Sequence, residues 1–234
     1  NAMPGFTNRM LARVVSAAAV SHDSALAHFP KSGVLTGNPV RDAFLEPAPP
    51  RSAAGGGRVL VLGGSQGAHA INMAMLAAAP HLAEARPAMV VTHQTGTADC
   101  AQVERGYAAC GLSATVAPFF SEMAALMRDA DVVVGRAGAT SLAELTAVGR
   151  SAVLVPLPGA ADDHQQLNAE ALADAGAAVV LPQTSLDGAR LAETLLALVH
   201  DDERRLAMAT ASKRLARPDA AARIADRAEQ LLGL

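Results

Sequence analysis

The sequence predicts an α/β protein built on a doubly wound parallel sheet. Short apolar runs rich in β-branched residues recur from Arg58 onward, and each is followed by a helix-compatible stretch. The runs are continuous rather than alternating, as strands buried on both faces require. Glycine-containing turns follow several of them, where a strand hands over to a helix.

Arg58-Val59-Leu60-Val61-Leu62 reads as the first strand, and Ala68 to Ala79 as the helix after it. Further strands are expected at Ala88–Thr92, Ser113–Ala117, Val132–Gly135, Ser151–Val155 and Ala177–Leu181. Helices are expected near Thr97–Cys110, Ser121–Asp129, Thr140–Val148 and Gln165–Ala175. Leu186–His200, Asp202–Leu215 and Asp219–Leu232 close the chain as helices. Pro218 separates the last two, and Asp219 stands where it can cap the final one. A sheet of this kind binds its ligand beyond the carboxyl ends of its strands, where the strand order reverses. Upstream, Arg51 to Gly57 is a Gly/Ala-rich connector preceded by Pro47, Pro49 and Pro50. Residues 1–36 offer one helix (Thr7–Val15) and one strand (Ser16–Val20), too little for a core of their own. They read as the tail of another domain.

Composition narrows the function. The chain has 234 residues, 51% of them hydrophobic, ample for a packed core. A net charge of −3 argues against a non-specific nucleic-acid binder. Cys100 and Cys110 lack metal-ligand spacing and suit a reducing compartment. No apolar run reaches the ~18–20 residues of a membrane span, and Asn1 to Val20 does not follow a signal-peptide pattern. The expectation is a cytosolic chain. Asn1-Ala2-Met3 reads either as a tag remnant before a start codon or as native sequence within a longer protein.

Five segments could carry chemistry. The most informative is Arg136 to Glu144, which follows the strand Val132-Val133-Val134. A glycine turn opening a helix leaves backbone N–H groups and the helix dipole free for an anion such as a diphosphate. Glu144, about a turn and a half further on, can accept from two vicinal hydroxyls of a ribose. The alternative is an ordinary βα turn with a solvated carboxylate. Gly63-Gly64-Ser65-Gln66-Gly67-Ala68 lacks the spacing of a dinucleotide fingerprint, but allows close backbone approach and adds the Ser65 hydroxyl. Gly37-Asn38-Pro39-Val40-Arg41 is a turn that delivers a guanidinium, either to a diphosphate or to solvent. Asp162-Asp163-His164 suggests a metal, but adjacent loop side chains seldom converge and no second cluster completes a site. Gln165 and Gln166 beside it suit sugar hydroxyls, or stand as solvated amides. His93 could be a base, yet no nucleophile with an orienting acid accompanies it, so it reads as a polar strand-end residue. No metal or cofactor is expected.

In this order the segments resemble the MurG family, the UDP-N-acetylglucosamine–N-acetylmuramyl-(pentapeptide) pyrophosphoryl-undecaprenol N-acetylglucosaminyltransferases. The matching pieces are Asn1 with Pro4 to Asn8, Gly37 to Arg41, Gly63 to Ala68, His93 to Gly96, Phe119 to Ala124, Arg136 to Glu144, and Gln165-Gln166 with Asn168-Ala169. The resemblance implies a Rossmann-like domain of the two-domain GT-B architecture. It implies that residues 1–36 end an N-terminal acceptor domain and 37–57 link the domains. Residues 58–217 would bind UDP-N-acetylglucosamine, and 218–234 would form a C-terminal helix.

By the same resemblance the Phe120 backbone would read the uracil edge and Glu144 would hold the ribose. Ala139, Thr140, Ser141, Leu142 and Ala143 would face the diphosphate, with Ser65 and Arg41 nearby. Gln165, Gln166 and Asn1 would contact the sugar. Transfer to lipid I, with inversion, would form lipid II at the inner face of the bacterial plasma membrane. The catalytic base, the acceptor site and the membrane contact would lie in the N-terminal half, and no match to that half's glycine-rich loop occurs here. Two alternatives stand beside this reading: another GT-B UDP-sugar enzyme, such as a glycosyltransferase or an epimerase, and a donor-binding module without turnover.

Overall fold

The computed structural model describes residues 1–47, 57–64, 68–85, 88–160 and 163–233. Its centre is a six-stranded, all-parallel sheet. The strands are β3 (Arg58–Leu62), β4 (Val90–Gln94), β5 (Ser113–Ala117), β6 (Val132–Gly135), β7 (Ser151–Leu154) and β8 (Ala178–Val180). Their spatial order is β5-β4-β3-β6-β7-β8. Winding runs outward in one direction from β3 and in the other from β6, so the reversal lies between those two strands.

The continuous apolar runs supply both faces of this sheet. Val59, Val61, Val132 and Val134 point into one core, while Leu60 and Val133 point into the other. Successive side chains of a strand alternate between faces, so a strand covered on both sides has no polar position to offer. On the first face lie α3 (His69–Ala83), α4 (Cys100–Ala109) and α8 (Gly188–Val199). A Cβ on Gly188 would sit 2.5 Å from the Ala77 methyl, so α8 packs on α3 at a distance that only glycine allows there. On the second face lie α5 (Met123–Asp129), α6 (Ala139–Val148) and α7 (His164–Asp174), joined by Phe44. The chain ends with α9 (Asp202–Arg214) and α10 (Ala220–Leu232).

Upstream stand α1 (Phe6–Leu11), β1 (Ala18–Val20), α2 (Asp23–Leu26) and β2 (Gly33–Leu35), with β1 and β2 forming a separate parallel pair. The sequence reading missed α2 and β2, each only three or four residues long. It also ended the first helix of the sheet domain too early. Pro80 lies inside α3, where its ring removes one backbone bond near an exposed end without stopping the helix. The fourth strand is shifted to 90–94 from the expected 88–92, which puts Gln94 at its carboxyl end. Asp219 precedes α10 but accepts no capping hydrogen bond; its carboxylate lies 3.9 Å from Arg223 instead. Both cysteines are free.

Candidate nucleotide-binding cleft

At the reversal point, beyond the carboxyl ends of β3 and β6, lies an open cleft of ≈ 730 Å³. Gly63 and Gly64 close it from β3, and Arg136 from β6. Gln94 reaches it from β4, Phe119 and Phe120 from the segment after β5, and Ser141 and Glu144 from α6. Arg41 enters from the turn that precedes the sheet.

Of the expected site residues, the cleft brings together Arg41, Phe120, Ser141 and Glu144. Arg41 Nη2 lies 3.9 Å from Glu144 Oε1, and its guanidinium stacks over the Phe44 ring at 5.1 Å from the centroid. Burial pushes the Glu144 carboxyl above its ordinary value, while the nearby Arg41 charge pulls it back. A half-desolvated carboxylate with one loosely placed cation is a strong acceptor for hydroxyl donors. Arg136 Nη1 donates to the carbonyls of Val155 (3.0 Å) and Pro156 (3.2 Å), which locks it across the ends of β6 and β7. Burial lowers its guanidinium pKa.

The start of α6 has no side-chain cap, and no acidic residue stands in its first turn. The Leu142 N–H already donates to Gly138 O at 2.9 Å. The uncommitted donors are therefore those of Ala139, Thr140 and Ser141. The expectation of a diphosphate surface running to Ala143 narrows accordingly: Leu142 is buried in the core, and Ala143 lies inside the helical ladder. Ala139, Leu142 and Ala143 instead wall a second cavity on the other side of α6, with Asn38, Val40 and Arg217. Thr140 Oγ1 accepts from Asn38 Nδ2 at 3.4 Å.

The remaining expected residues stand apart from the cleft lining. Gln165 Oε1 accepts from the Leu157 N–H at 3.1 Å, and Gln166 Nε2 donates to Glu170 at 2.8 Å. The other end of each amide makes no hydrogen bond among the described residues. Asn1 Oδ1 accepts from Asn168 Nδ2 at 3.1 Å. The same Asn168 amide donates to Ala137 O at 3.0 Å, and Asn168 Oδ1 accepts from the Ala2 N–H at 2.7 Å. Asn168, given no role in the sequence reading, thus fastens the first residues to the turn before α6. Ser65 lies outside the described residues.

His93 takes no part in the cleft. It is fully buried between Tyr107 and Asn72. Asn72 Nδ2 donates to Thr95 O (2.9 Å) and to Asp99 (2.7 Å), so its Oδ1 must accept from His93 Nε2–H at 3.0 Å. The His93 Nδ1 then accepts from the Tyr107 hydroxyl at 2.7 Å. Asp99 also faces His69 Nδ1 at 3.0 Å. Every donor in the chain from Tyr107 to Asp99 points toward the carboxylate. These bonds hold Asp99 below its usual value against the opposing effect of burial. Burial lowers His93 to about 4, so it is neutral and structural, as its strand-end position suggested.

Among the described residues no group of three or more His, Cys, Asp or Glu is placed to hold a metal; Asp162 lies outside them. No helix among them is long and apolar enough to cross a membrane.

Fold and cleft together define a class: a Rossmann-like parallel α/β domain of the GT-B type. Residues 58–224 match the glycosyltransferase family 28 C-terminal domain, and the chain belongs to that family. It is 48% identical over 228 residues to the UDP-N-acetylglucosamine–N-acetylmuramyl-(pentapeptide) pyrophosphoryl-undecaprenol N-acetylglucosamine transferase of Anaeromyxobacter dehalogenans strain 2CP-C, covering 97% of this chain and 60% of that protein. Crystalline Acinetobacter baumannii MurG superposes with a TM-score of 0.84 at 30% identity, over 98% of this chain and 65% of that one. The MnaA–UDP structure from S. aureus superposes at 0.69 over 97% of this chain and 63% of that one, but its 11% identity shows the fold alone. The resemblance to MurG read from the motifs is borne out. The chain spans about 60% of the length of the curated relatives it matches.

Proposed function

We propose that this chain is the donor-binding half of an inverting glycosyltransferase of peptidoglycan synthesis, which moves N-acetylglucosamine from UDP-N-acetylglucosamine to lipid I and forms lipid II. One observation carries the reading. Glu144 and Arg41 stand 3.9 Å apart in a cleft that also receives Gly63, Gly64 and the uncapped first turn of α6. An acceptor for ribose hydroxyls and a set of donors for a diphosphate therefore meet at the point where this fold binds nucleotides.

In this reading Glu144 accepts from the two ribose hydroxyls. The N–H groups of Ala139 to Ser141, the Arg41 guanidinium and the Ser65 hydroxyl meet the charge that builds on the departing UDP. Donors fixed before the bond breaks cost no reorganisation as charge develops, and no step is assigned to a metal. The open amide ends of Gln165 and Gln166, with Asn1, contact the sugar. The general base, the lipid I site and contact with the cytoplasmic face of the plasma membrane belong to the part of the relatives that this chain does not span.

Calorimetry with UDP, with and without chelator, tests the reading. UDP should bind equally well in both. Glu144→Ala should weaken UDP by roughly 1.5–3 kcal/mol, the scale of hydrogen bonds to a charged group, and leave inorganic pyrophosphate nearly unaffected. Absence of UDP binding, loss on chelation, or equal loss for both ligands would contradict it.

A further inference from the structure

The second cavity, behind α6 and away from the nucleotide cleft, has a volume of ≈ 730 Å³. That lies within the ~300–1,000 Å³ typical of small-molecule sites. Ala139, Leu142, Ala143 and Ala147 line it from α6, and Leu172 from α7. Its other sides come from Ser21 to Asp23, from the turn at Gly37 to Val40, and from the stretch between α9 and α10.

The cavity holds two kinds of surface. The α6 wall is apolar, and the buried Thr146 hydroxyl beside it donates to Ala143 O at 3.1 Å. Burial holds His22 below its ordinary pKa, so its ring is uncharged at pH 7.5. The charges in the lining are therefore Asp23 and Arg217. Among the described residues neither side chain makes a hydrogen bond or an ion pair, with the other or with any third group. The root of Arg217 is fixed by packing. Gly37 has φ +89°, and a Cβ there would collide with the Arg217 Cβ, so the two chain crossings touch at the cavity's rim.

We propose that this cavity is a second ligand site, for a small zwitterion with an apolar body: an apolar amino acid or dipeptide in chemical class. The ligand carboxylate meets Arg217, its ammonium meets Asp23, and its side chain lies on the apolar wall of α6. An amphipathic anion would leave Asp23 facing like charge, and a neutral ligand would leave both charged groups without a partner. The site is linked to the nucleotide cleft, a step that rests on the UDP reading above. Asn38 and Val40 line the cavity while Arg41, next in the chain, lines the cleft. Ala139 and Ala143 line the cavity while Ser141 and Glu144 line the cleft. A ligand packed against both elements acts on the placement of Arg41 and Glu144, and each ligand's affinity then depends on the other.

Ligand-observed NMR and calorimetry on the 234-residue chain at pH 7.5, with L-leucine, L-leucyl-L-alanine and L-alanyl-L-leucine as probes, provide the test. At least one should bind with a Kd of ~1 mM or tighter. Amidating the carboxylate of that probe, or Arg217→Gln, should weaken it at least ~10-fold; N-acetylating it, or Asp23→Asn, should do the same. Amidation and Arg217→Gln together should cost little more than either alone, because both delete one contact. Asp23 and Arg217 are exposed, so both variants keep the fold, and the altered probes test wild type in any case. Probes that do not bind, or losses that simply add, overturn the site. Saturating UDP should change probe affinity at least ~5-fold. An unchanged affinity with UDP bound overturns the linkage to the cleft. A chain that binds a probe but not UDP overturns the donor reading and the linkage, and the probe series then decides the site by itself.

Discussion

Acidification should weaken this fold through His93, in a pH window set by the side chain's burial. His93 is enclosed by Tyr107 and Asn72 and ionises at about 4, against 6.5 in an open chain. Its folded pKa is depressed, so between pH 6.5 and 4 the unfolded chain binds the proton and the folded chain does not. The stability that His93 contributes is thus full above about pH 6.5 and drains as pH falls. The slope is about 1.4 kcal/mol per pH unit, or ~3 kcal/mol over the whole interval. Against a typical domain stability of roughly 5–15 kcal/mol, that loss is large. Urea unfolding of wild type and His93→Gln at pH 7.5, 6 and 5 isolates it. The glutamine amide can still donate to Asn72 but does not titrate. The variant should be less stable at pH 7.5, and the gap should narrow by ~2 kcal/mol at pH 5. His22, also lowered by burial, titrates in both proteins and cancels in the difference. A gap that stays constant across the three pH values would refute the assignment.

Three further substitutions probe the cleft and its supports. Asn168→Ala removes the partners of Ala2, Asn1 and Ala137; it should cost ~1–3 kcal/mol in thermal unfolding and speed proteolysis within residues 1–36. Gly63→Ala drives a methyl to 2.5 Å from the Gln94 carbonyl, so UDP affinity, followed by calorimetry, should fall at least ~10-fold as the turn after β3 moves. Replacing Gln165 and Gln166 together with Ala should leave UDP affinity nearly intact and reduce the advantage of UDP-N-acetylglucosamine over it. Equal loss for both ligands would place these amides on the phosphate or in the fold.

The sheet was legible because a strand buried on both faces leaves a long, uninterrupted signal. Arg58 to Leu62 and Val132 to Gly135 could be placed to the residue. The candidate cleft followed from the strand–glycine–helix junction after β6, whose free backbone donors belong to groups that every residue has. What stayed hidden depends on side-chain partners distant in sequence. Gln94 matters because Phe120 and Gly63 converge on it, and Asn168 because Asn1 and Ala137 do; neither partnership leaves a local pattern. Arg136 stood inside the most conspicuous motif, yet its bonds to Val155 and Pro156 require β6 and β7 to be neighbours. The short β2 failed for the opposite reason. Three residues paired to β1 alone carry too little periodicity to separate from a loop.

The division of labour within α6 shows what such a motif can and cannot say. From Ala139 to Glu144 the resemblance names six consecutive residues, but a helix turns by 100° per residue and cannot present six in a row to one ligand. Ser141 and Glu144, three apart, face the cleft. Ala139, Leu142 and Ala143, spaced by three and four, face the second cavity. The first turn can still serve an anion, because its free N–H groups point along the axis rather than from either face. In the proposed reading, side-chain recognition falls to Glu144, and charge recognition to the backbone of 139–141. That separation lets Ala139 remain apolar and Leu142 remain in the core without cost to the site. A carboxylate at Ser141, by contrast, would stand over the same N–H groups and compete with a diphosphate for them.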